Sequence, residues 1–331
     1  MMKISLTGIK PTGNIHIGNY FGAIKPAIAL TEQYFGVYFV ADLHALNSNF
    51  SPKELQRQIY EVAAAWIAFG LDTEKAIFFR QSDVHEIPEL TTILSAVTPK
   101  GLMNRAHAYK AMLDKNAEAG NDPDFGVNMG LYTYPILMAA DILLYNSDVV
   151  PVGLDQKQHV EITRDIAENL NRIYGKTLKI PEGIYAENQK DVPGIDGRKM
   201  SKSYNNTLPI FADEKALRKQ VMRIVTDSIP PEDPKDPDTC NLFQIFQHFG
   251  TPERVEEVRQ LYLQGGLAYG QLKQELFENM LETFKPARER FNYLMENKHE
   301  VDQLLASGAE KAREIGRPVL ARVRKAVGID R

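Results

Sequence analysis

Cysteine is almost missing from this 331-residue chain, which carries only Cys240. That scarcity excludes a disulfide framework, a cysteine-built zinc site and a four-cysteine iron–sulfur cluster. Long apolar runs are missing too: nothing reaches about 18 residues, so no membrane span is expected. Met1-Met2-Lys3-Ile4-Ser5-Leu6-Thr7-Gly8 has too little apolar content for a signal peptide, and the expected location is cytoplasmic. Neither Gly-x-Gly-x-x-Gly nor Gly-x4-Gly-Lys-Ser/Thr follows the first apolar run, so dinucleotide binding and P-loop chemistry lose their usual support. A dominant charge is absent as well. Thirty-nine Lys and Arg stand against 43 Asp and Glu, for a net charge of −4, and the whole-molecule field does not announce a nucleic-acid partner.

What is present suits a globular protein. The chain is 44% hydrophobic and 9% aromatic, enough to offset chain entropy. At roughly 150 residues per domain, its length suggests about two domains. Ile4–Ile9 reads as a buried strand, followed by a turn at Pro11-Thr12-Gly13 and a helix from Gly18 to Glu32. Val37–Val40, Ala76–Phe79 and Val149–Val152 read as further strands. Ser51 caps a helix running through Phe69, with Pro52 in its first turn and Glu54 completing a capping box. A second long helix ends near Tyr145. Strands alternating with helices predict an α/β fold, a Rossmann-like doubly wound parallel sheet whose ligands bind at the carboxyl ends of its strands.

Beyond about residue 205 the pattern changes. Pro209, Pro230, Pro231, Pro234 and Pro237 mark connections, and from Leu242 onward the periodicity is helical, around Val255–Leu263, Gly270–Thr283, Pro286–Asn297 and Val301–Ala306. The expected division is a Rossmann-like α/β domain over 1–205 and a helical domain over 206–331. The end of the chain is locally basic, with Lys311, Arg313, Arg317, Arg322, Arg324, Lys325 and Arg331 against Glu314 and Asp330. Such a run is either a solvated helix face or a polyanion contact.

Two motifs carry chemistry. Pro11-Thr12-Gly13-Asn14-Ile15-His16-Ile17-Gly18-Asn19 follows the first strand. There Gly18 allows close backbone approach, and a helix start offers N–H groups to phosphate beside His16 and Asn19. Gly197-Arg198-Lys199-Met200-Ser201-Lys202-Ser203 places two ammonium groups three residues apart, within reach of one triphosphate, where they could stabilise a pyrophosphate leaving group. A third feature is Tyr134, Met138, Asp141, Ile142 and Tyr145, which share one face of a helix that is apolar nearly all round and therefore buried. Asp141 is then a carboxylate where an unpaired charge is expensive. On the residues alone, it is an acceptor for a single N–H donor such as an indole, one half of a salt bridge to an arginine, or a cap.

In this order, the first two motifs resemble the paired signatures of class I aminoacyl-tRNA synthetases. Tyr134 to Tyr145, with Val150-Pro151-Val152-Gly153-Leu154-Asp155-Gln156-Lys157-Gln158-His159, resembles the bacterial tryptophanyl-tRNA synthetase family over essentially the whole chain. That resemblance implies activation of L-tryptophan with Mg2+ and ATP to an adenylate, then transfer to tRNA(Trp), by a homodimer whose helical C-terminal domain reads the anticodon. It implies that His16, Asn19, Lys199 and Lys202 are catalytic. ATP would be met by Lys10, Pro11, Thr12, Gly18, Asn19, Gly153, Leu154, Asp155 and Val192, and by Lys199, Met200, Ser201, Lys202 and Ser203. Tryptophan would be met by Asp141, Tyr134, Met138, His44, Gln156 and Val152, with no resident metal. Lys110 or Lys115 would be a mobile lysine that assists ATP. Three departures are visible: Lys10 stands where many members carry glutamine, Leu6 replaces a common aromatic near the indole, and Asp114–Met129 is longer than in the compact bacterial form. The alternatives are a tyrosyl-tRNA synthetase and a synthetase-like protein that does not charge tRNA.

Overall fold

The computed structural model describes residues 2–48, 50–185 and 192–330, with the side chain of Ser203 outside that description. Five strands, β1 (Ile4–Ile9), β2 (Phe35–Val40), β3 (Ala76–Arg80), β4 (Val149–Val152) and β5 (Glu182–Tyr185), form one parallel sheet in the order β3-β2-β1-β4-β5. Four of these strands stand where the apolar runs predict them. The fifth went unread because Glu-Gly-Ile-Tyr is short and only half apolar.

Alternation along the strands builds two cores. Tyr38, Val40 and Phe78 face one side, where they meet Trp66, the only tryptophan of the chain. Val37, Phe39, Ile77 and Phe79 face the other. Successive side chains of a strand point to opposite faces, so a sheet buried on both sides reads as a continuous apolar run.

The first helical run, α1, is irregular: Ile17–Asn19, a π-type stretch Tyr20–Ile24, then Lys25–Leu30. Its start is closed by a capping box between His16 and Asn19. Asn19 N–H donates to His16 Nδ1 at 3.3 Å, and His16 N–H donates to Asn19 Oδ1 at 3.1 Å. The next helix, α2 (Pro52–Ala68), is capped by Ser51, whose Oγ accepts from Glu54 N–H at 3.3 Å. The expected reciprocal bond from Glu54 is replaced, since that carboxylate accepts from Gln58 Nε2 at 3.4 Å. Further helices are α3 (Glu86–Val97), α4 (His107–Glu118), α5 (Met129–Leu143), α6 (Lys157–Tyr174), α7 (Glu214–Met222), α8 (Asn241–Phe246), α9 (Pro252–Gln264), α10 (Tyr269–Glu296) and α11 (Lys298–Val327). Only the second half of α5 is buried; Met129 at its start is 69% exposed.

At the C-terminal end the structure differs from the reading of the sequence. The segments expected at Gly270–Thr283 and Pro286–Asn297 are one 28-residue helix, α10, running through Pro286. A proline normally interrupts a helix, but Phe284, Ala287 and Phe291 hold both sides of it against the core. The element expected at Val301–Ala306 extends over 30 residues as α11, through Pro318. This last helix lies on the sheet: a Cβ on Gly308 would fall 1.8 Å from the carbonyl oxygen of Phe78 in β3. The basic run is therefore largely engaged. Arg313 and Arg317 reach Glu86 at 3.1 and 3.2 Å, Arg324 reaches Glu89 at 2.6 Å, and Arg322 donates to the Thr177 carbonyl at 2.7 Å. Arg331 lies outside the described residues.

The contact at Gly308 generates a test. Gly308→Ala forces α11 off β3 and should lower stability by about 1–3 kcal/mol in urea unfolding followed by Trp66 fluorescence. An unchanged midpoint would mean that the helix does not seat there.

Candidate active site

Between β1 and β4 the direction of sheet winding reverses, and the carboxyl ends of two diverging strands leave a crevice. A cavity of about 500 Å³ opens there. It gathers every residue expected to meet tryptophan: His44, Tyr134, Met138, Asp141, Val152 and Gln156, together with Lys10. The helix-face argument holds for Tyr134, Met138, Asp141 and Ile142. Tyr145 departs from it, turning away to lie against Phe79 with ring centroids 5.8 Å apart. Leu6 lines the cavity beside Phe39, so an aromatic wall comes from β2.

Asp141 is 1% exposed, and it is not the isolated charge that the helix pattern suggests. Nor is its partner an arginine. His44 Nε2 lies 2.9 Å from Oδ2, and Gln81 Nε2 donates to both carboxylate oxygens at 2.8 and 2.9 Å. Burial raises the pKa of Asp141, while His44 and Gln81 act the other way. Gln81 is itself fixed, its Oε1 accepting from Leu43 N–H at 3.1 Å. It is a site residue that the sequence concealed: a polar residue just past β3, and glutamine there carries no motif. Thr7 and Asn47 also line the cavity unforeseen, and the buried Thr7 Oγ1 has no hydrogen-bond partner among the described residues.

A second, more open cleft of about 860 Å³ adjoins the first motif. His16, Gly18, Asn19, Val192, Lys199 and Met200 line it, which brings the two motifs to one place. What joins them is backbone. Ile17 N–H donates to the Leu208 carbonyl at 3.1 Å, and Ile210 N–H donates to the Ile15 carbonyl at 3.0 Å. Asn206, 1% exposed and absent from the expectations, braces the second motif: its Oδ1 accepts from Ser201 N–H at 2.7 Å, and its Nδ2 donates to Asp196 Oδ1 at 2.7 Å and the Lys199 carbonyl at 3.1 Å. That bond from Asn206 and the Arg198 guanidinium hold the Asp196 carboxyl down at about 2.

Lys202 lines neither cavity. Its ammonium is folded onto the carbonyl oxygens of Thr12 and Gly13 in the first motif's turn, where Gly13 adopts a left-handed φ of 62°. Burial lowers its pKa to about 8, with Glu61 opposing. Pro11 is buried inside that turn. Gly153, Leu154 and Asp155 are exposed after β4 and line neither space. Lys110 and Lys115 are exposed on α4 and line neither space, although Ala108 of the same helix lines the first.

Comparison with known proteins decides what this arrangement belongs to. The family described as tRNA synthetases class I (W and Y) matches residues 3–285. A tryptophan–tRNA ligase of Pseudomonas aeruginosa is 50% identical over 98% of this chain and 73% of its own length. The chain belongs to the class I tryptophanyl-tRNA synthetases. It is an enzyme, a tryptophan–tRNA ligase. The tryptophan–tRNA ligase of Rhodopirellula baltica is 47% identical over 98% of this chain and 99% of its own. In structure, the tryptophanyl-tRNA synthetase of Campylobacter jejuni, solved with ADP and tryptophan, is similar with a TM-score of 0.91 and 44% identity, covering 98% of this chain and 99% of that one. The readings as a tyrosyl-tRNA synthetase and as a non-charging protein are set aside.

The first motif of the synthetase supports a pH test. Burial, and then the charge of Lys202, lower the His16 pKa from 6.5 to about 4. Protonation at Nδ1 would also remove the acceptor that caps α1. A depressed histidine contributes stability that is complete above its unfolded pKa of 6.5 and lost as the pH falls towards 4. His16→Gln should flatten the stability–pH curve in that interval by about 1–3 kcal/mol, measured by urea unfolding at several pH values. A curve identical to wild type would show that the imidazole is not the titrating group.

Proposed function

We propose that the two spaces divide the substrates of the ligase, tryptophan in the crevice of β1 and β4 and ATP in the cleft between the two motifs. The observation that carries this reading is Asp141, a buried acceptor in the wall of a largely apolar cavity. Indole has one N–H donor and no acceptor, and a carboxylate held by His44 and Gln81 offers the matching group without an unpaired charge. Met138, Val152 and Phe39 supply apolar wall; Tyr134, Gln156 and His44 are polar groups for the amino-acid end. The relative from Campylobacter jejuni, solved with ADP and tryptophan, supports ATP and tryptophan as ligands.

The chemistry follows from that arrangement. A tryptophan carboxylate oxygen attacks the α-phosphorus of ATP, and the bond to the bridging oxygen breaks to release pyrophosphate. The 3′-terminal adenosine hydroxyl of tRNA(Trp) then attacks the acyl carbon, and AMP leaves. His16 and Asn19 lie beside the phosphates. Lys199 and Lys202 meet the charge that develops on pyrophosphate, for which the Lys202 ammonium exchanges the Thr12 and Gly13 carbonyls for phosphoryl oxygens. Gly18, Val192 and Met200 line the cleft between the two motifs, while Lys10, Pro11, Thr12, Gly153, Leu154, Asp155, Ser201 and Ser203 are assigned to ATP on the family resemblance alone. Among the described residues, no group of three or more His, Cys, Asp and Glu side chains could hold a metal ion. The family resemblance implies Mg2+ arriving with the triphosphate, whose oxygens would hold it.

The division into 1–205 and 206–331, with tRNA on the second part, is proposed on the family resemblance, as are the homodimer and the cytoplasmic location. Among the described helices, none is long and apolar enough to cross a membrane. Because Arg313, Arg317 and Arg324 are engaged with Glu86 and Glu89, phosphate contacts in the basic run fall to exposed Lys311 and Lys325.

Pyrophosphate exchange and tRNA charging, measured together, test the assignment. Asp141→Ala should weaken tryptophan by roughly ten- to a hundredfold and relax the rejection of tyrosine. Lys202→Ala and Lys199→Ala should lower the exchange rate by about a hundredfold or more with smaller effects on ATP affinity. Wild-type tryptophan affinity in the first variant, or wild-type rates in the others, would overturn the corresponding role.

A further inference from the structure

One wall of the tryptophan cavity carries a hydrogen-bonded chain whose direction is fixed at one end. Asp155, Gln156, His159 and Tyr134 are joined in sequence. Gln156 Nε2 donates to Asp155 Oδ2 at 2.9 Å, Gln156 Oε1 lies 2.8 Å from His159 Nδ1, and His159 Nε2 is bonded to the Tyr134 hydroxyl. A carboxylate only accepts, so Asp155 draws the amide nitrogen of Gln156 and leaves its oxygen facing the imidazole. That oxygen also only accepts, so the proton of a neutral His159 must sit on Nδ1. Nε2 is then a lone pair, and the Tyr134 hydroxyl must donate to it. The remaining lone pairs of the Tyr134 oxygen are left as acceptors at the cavity wall.

We infer that His159 is a positioning residue which, through this chain, holds the Tyr134 hydroxyl as an acceptor for the α-ammonium of the amino-acid substrate. The inference rests on the placement of tryptophan proposed above and adds the polarity of its ammonium subsite. An ammonium group brings donors only, and a hydroxyl free to turn its proton into the cavity would oppose it. His159 is 5% exposed, and burial keeps its pKa below the ordinary value. The neutral tautomer that the chain requires is thus the form present near neutrality. The groups facing it are Tyr134 from α5, Asp155 and Gln156 from the turn before α6, His107 at the start of α4, and His44 after β2. A proton added to His159 would make both ring nitrogens donors, reverse the Tyr134 hydroxyl and point its hydrogen at the substrate.

The test uses two ligands that differ in the ammonium alone, tryptophan and indole-3-propionate, titrated calorimetrically into the full chain without nucleotide. His159→Leu should weaken tryptophan roughly tenfold and indole-3-propionate by less than about twofold. His159→Gln, whose amide oxygen can still accept from Tyr134, should recover most of that loss. Asp155→Asn, which lets Gln156 turn round, should weaken tryptophan selectively. For the wild type, the preference for tryptophan over indole-3-propionate should fall as the pH is lowered through the His159 titration and be flat in His159→Gln. Equal losses for both ligands would make His159 a packing residue, and equal behaviour of the Leu and Gln variants would remove the polarity argument; either overturns the inference. Asp141→Ala in the same titration reports on the cavity itself. If it weakens neither ligand, the tryptophan placement fails, whereas the chain is judged by the His159 variants alone.

Discussion

Two backbone hydrogen bonds, between Ile17 and Leu208 and between Ile210 and Ile15, hold together segments almost two hundred residues apart, and both nucleotide motifs hang from them. All four residues are buried, so neither bond can be exchanged for water without leaving orphaned peptide groups. With the seam closed, the turn at Thr12 and Gly13 comes within reach of Lys202, and Met200 and Lys199 become the wall opposite His16. Asn206 locks the second motif from inside through four hydrogen bonds of its own side chain and backbone. The relative placement of the two motifs is therefore a property of the seam first and of the side chains second.

Two buried polar groups of the site, Asp141 and His159, are given partners that also orient them, whereas Thr7 Oγ1 has none among the described residues. Asp141 is held by His44 and Gln81, and Gln81 is anchored to the backbone of Leu43. Asp155 imposes a direction on Gln156, His159 and Tyr134. In low dielectric, such networks are strong when complete and expensive when broken, which makes them specific. On the proposed placement of tryptophan, an indole asks for one acceptor and an ammonium for several, and the two networks would supply them at separate points of one cavity.

The C-terminal helices are fastened to the sheet by shape and by charge. Gly308 lets α11 approach the backbone of β3 more closely than any side chain would allow, and Arg313 and Arg317 converge on Glu86 at the start of α3. The region read as the tRNA-binding part is thus continuous with the layer that carries β3 and Gln81. A displacement of α11 would be felt at β3 and at Gln81, which holds Asp141, because packed elements move as units.

Much of this was legible in the sequence, for reasons that are local. The apolar runs at Val37 and Ala76 gave strands because both faces of the sheet are covered. Ser51 and Pro52 marked a helix start, and the spacing of Tyr134, Met138 and Asp141 put them on one face because a helix repeats every 3.6 residues. His16 and Asn19 were read as donors to phosphate, and their spacing of three also makes a capping box. The second half of the picture is non-local. The segments read on either side of Pro286 are one helix, and the segment read at Val301–Ala306 runs on through Pro318, because tertiary packing carries both helices through. Nothing near Gln81 or Asn206 in the chain distinguishes them, since their partners are 60 residues away in one case and held by a folded loop in the other. Four of the five strands, the family and most residue types of the site were legible in the sequence alone. The partners of Asp141, the docking of Lys202, the engagement of the basic run and the direction of the Tyr134 hydroxyl were decided only by tertiary structure, because each depends on a hydrogen bond or ion pair between segments that local periodicity cannot bring together.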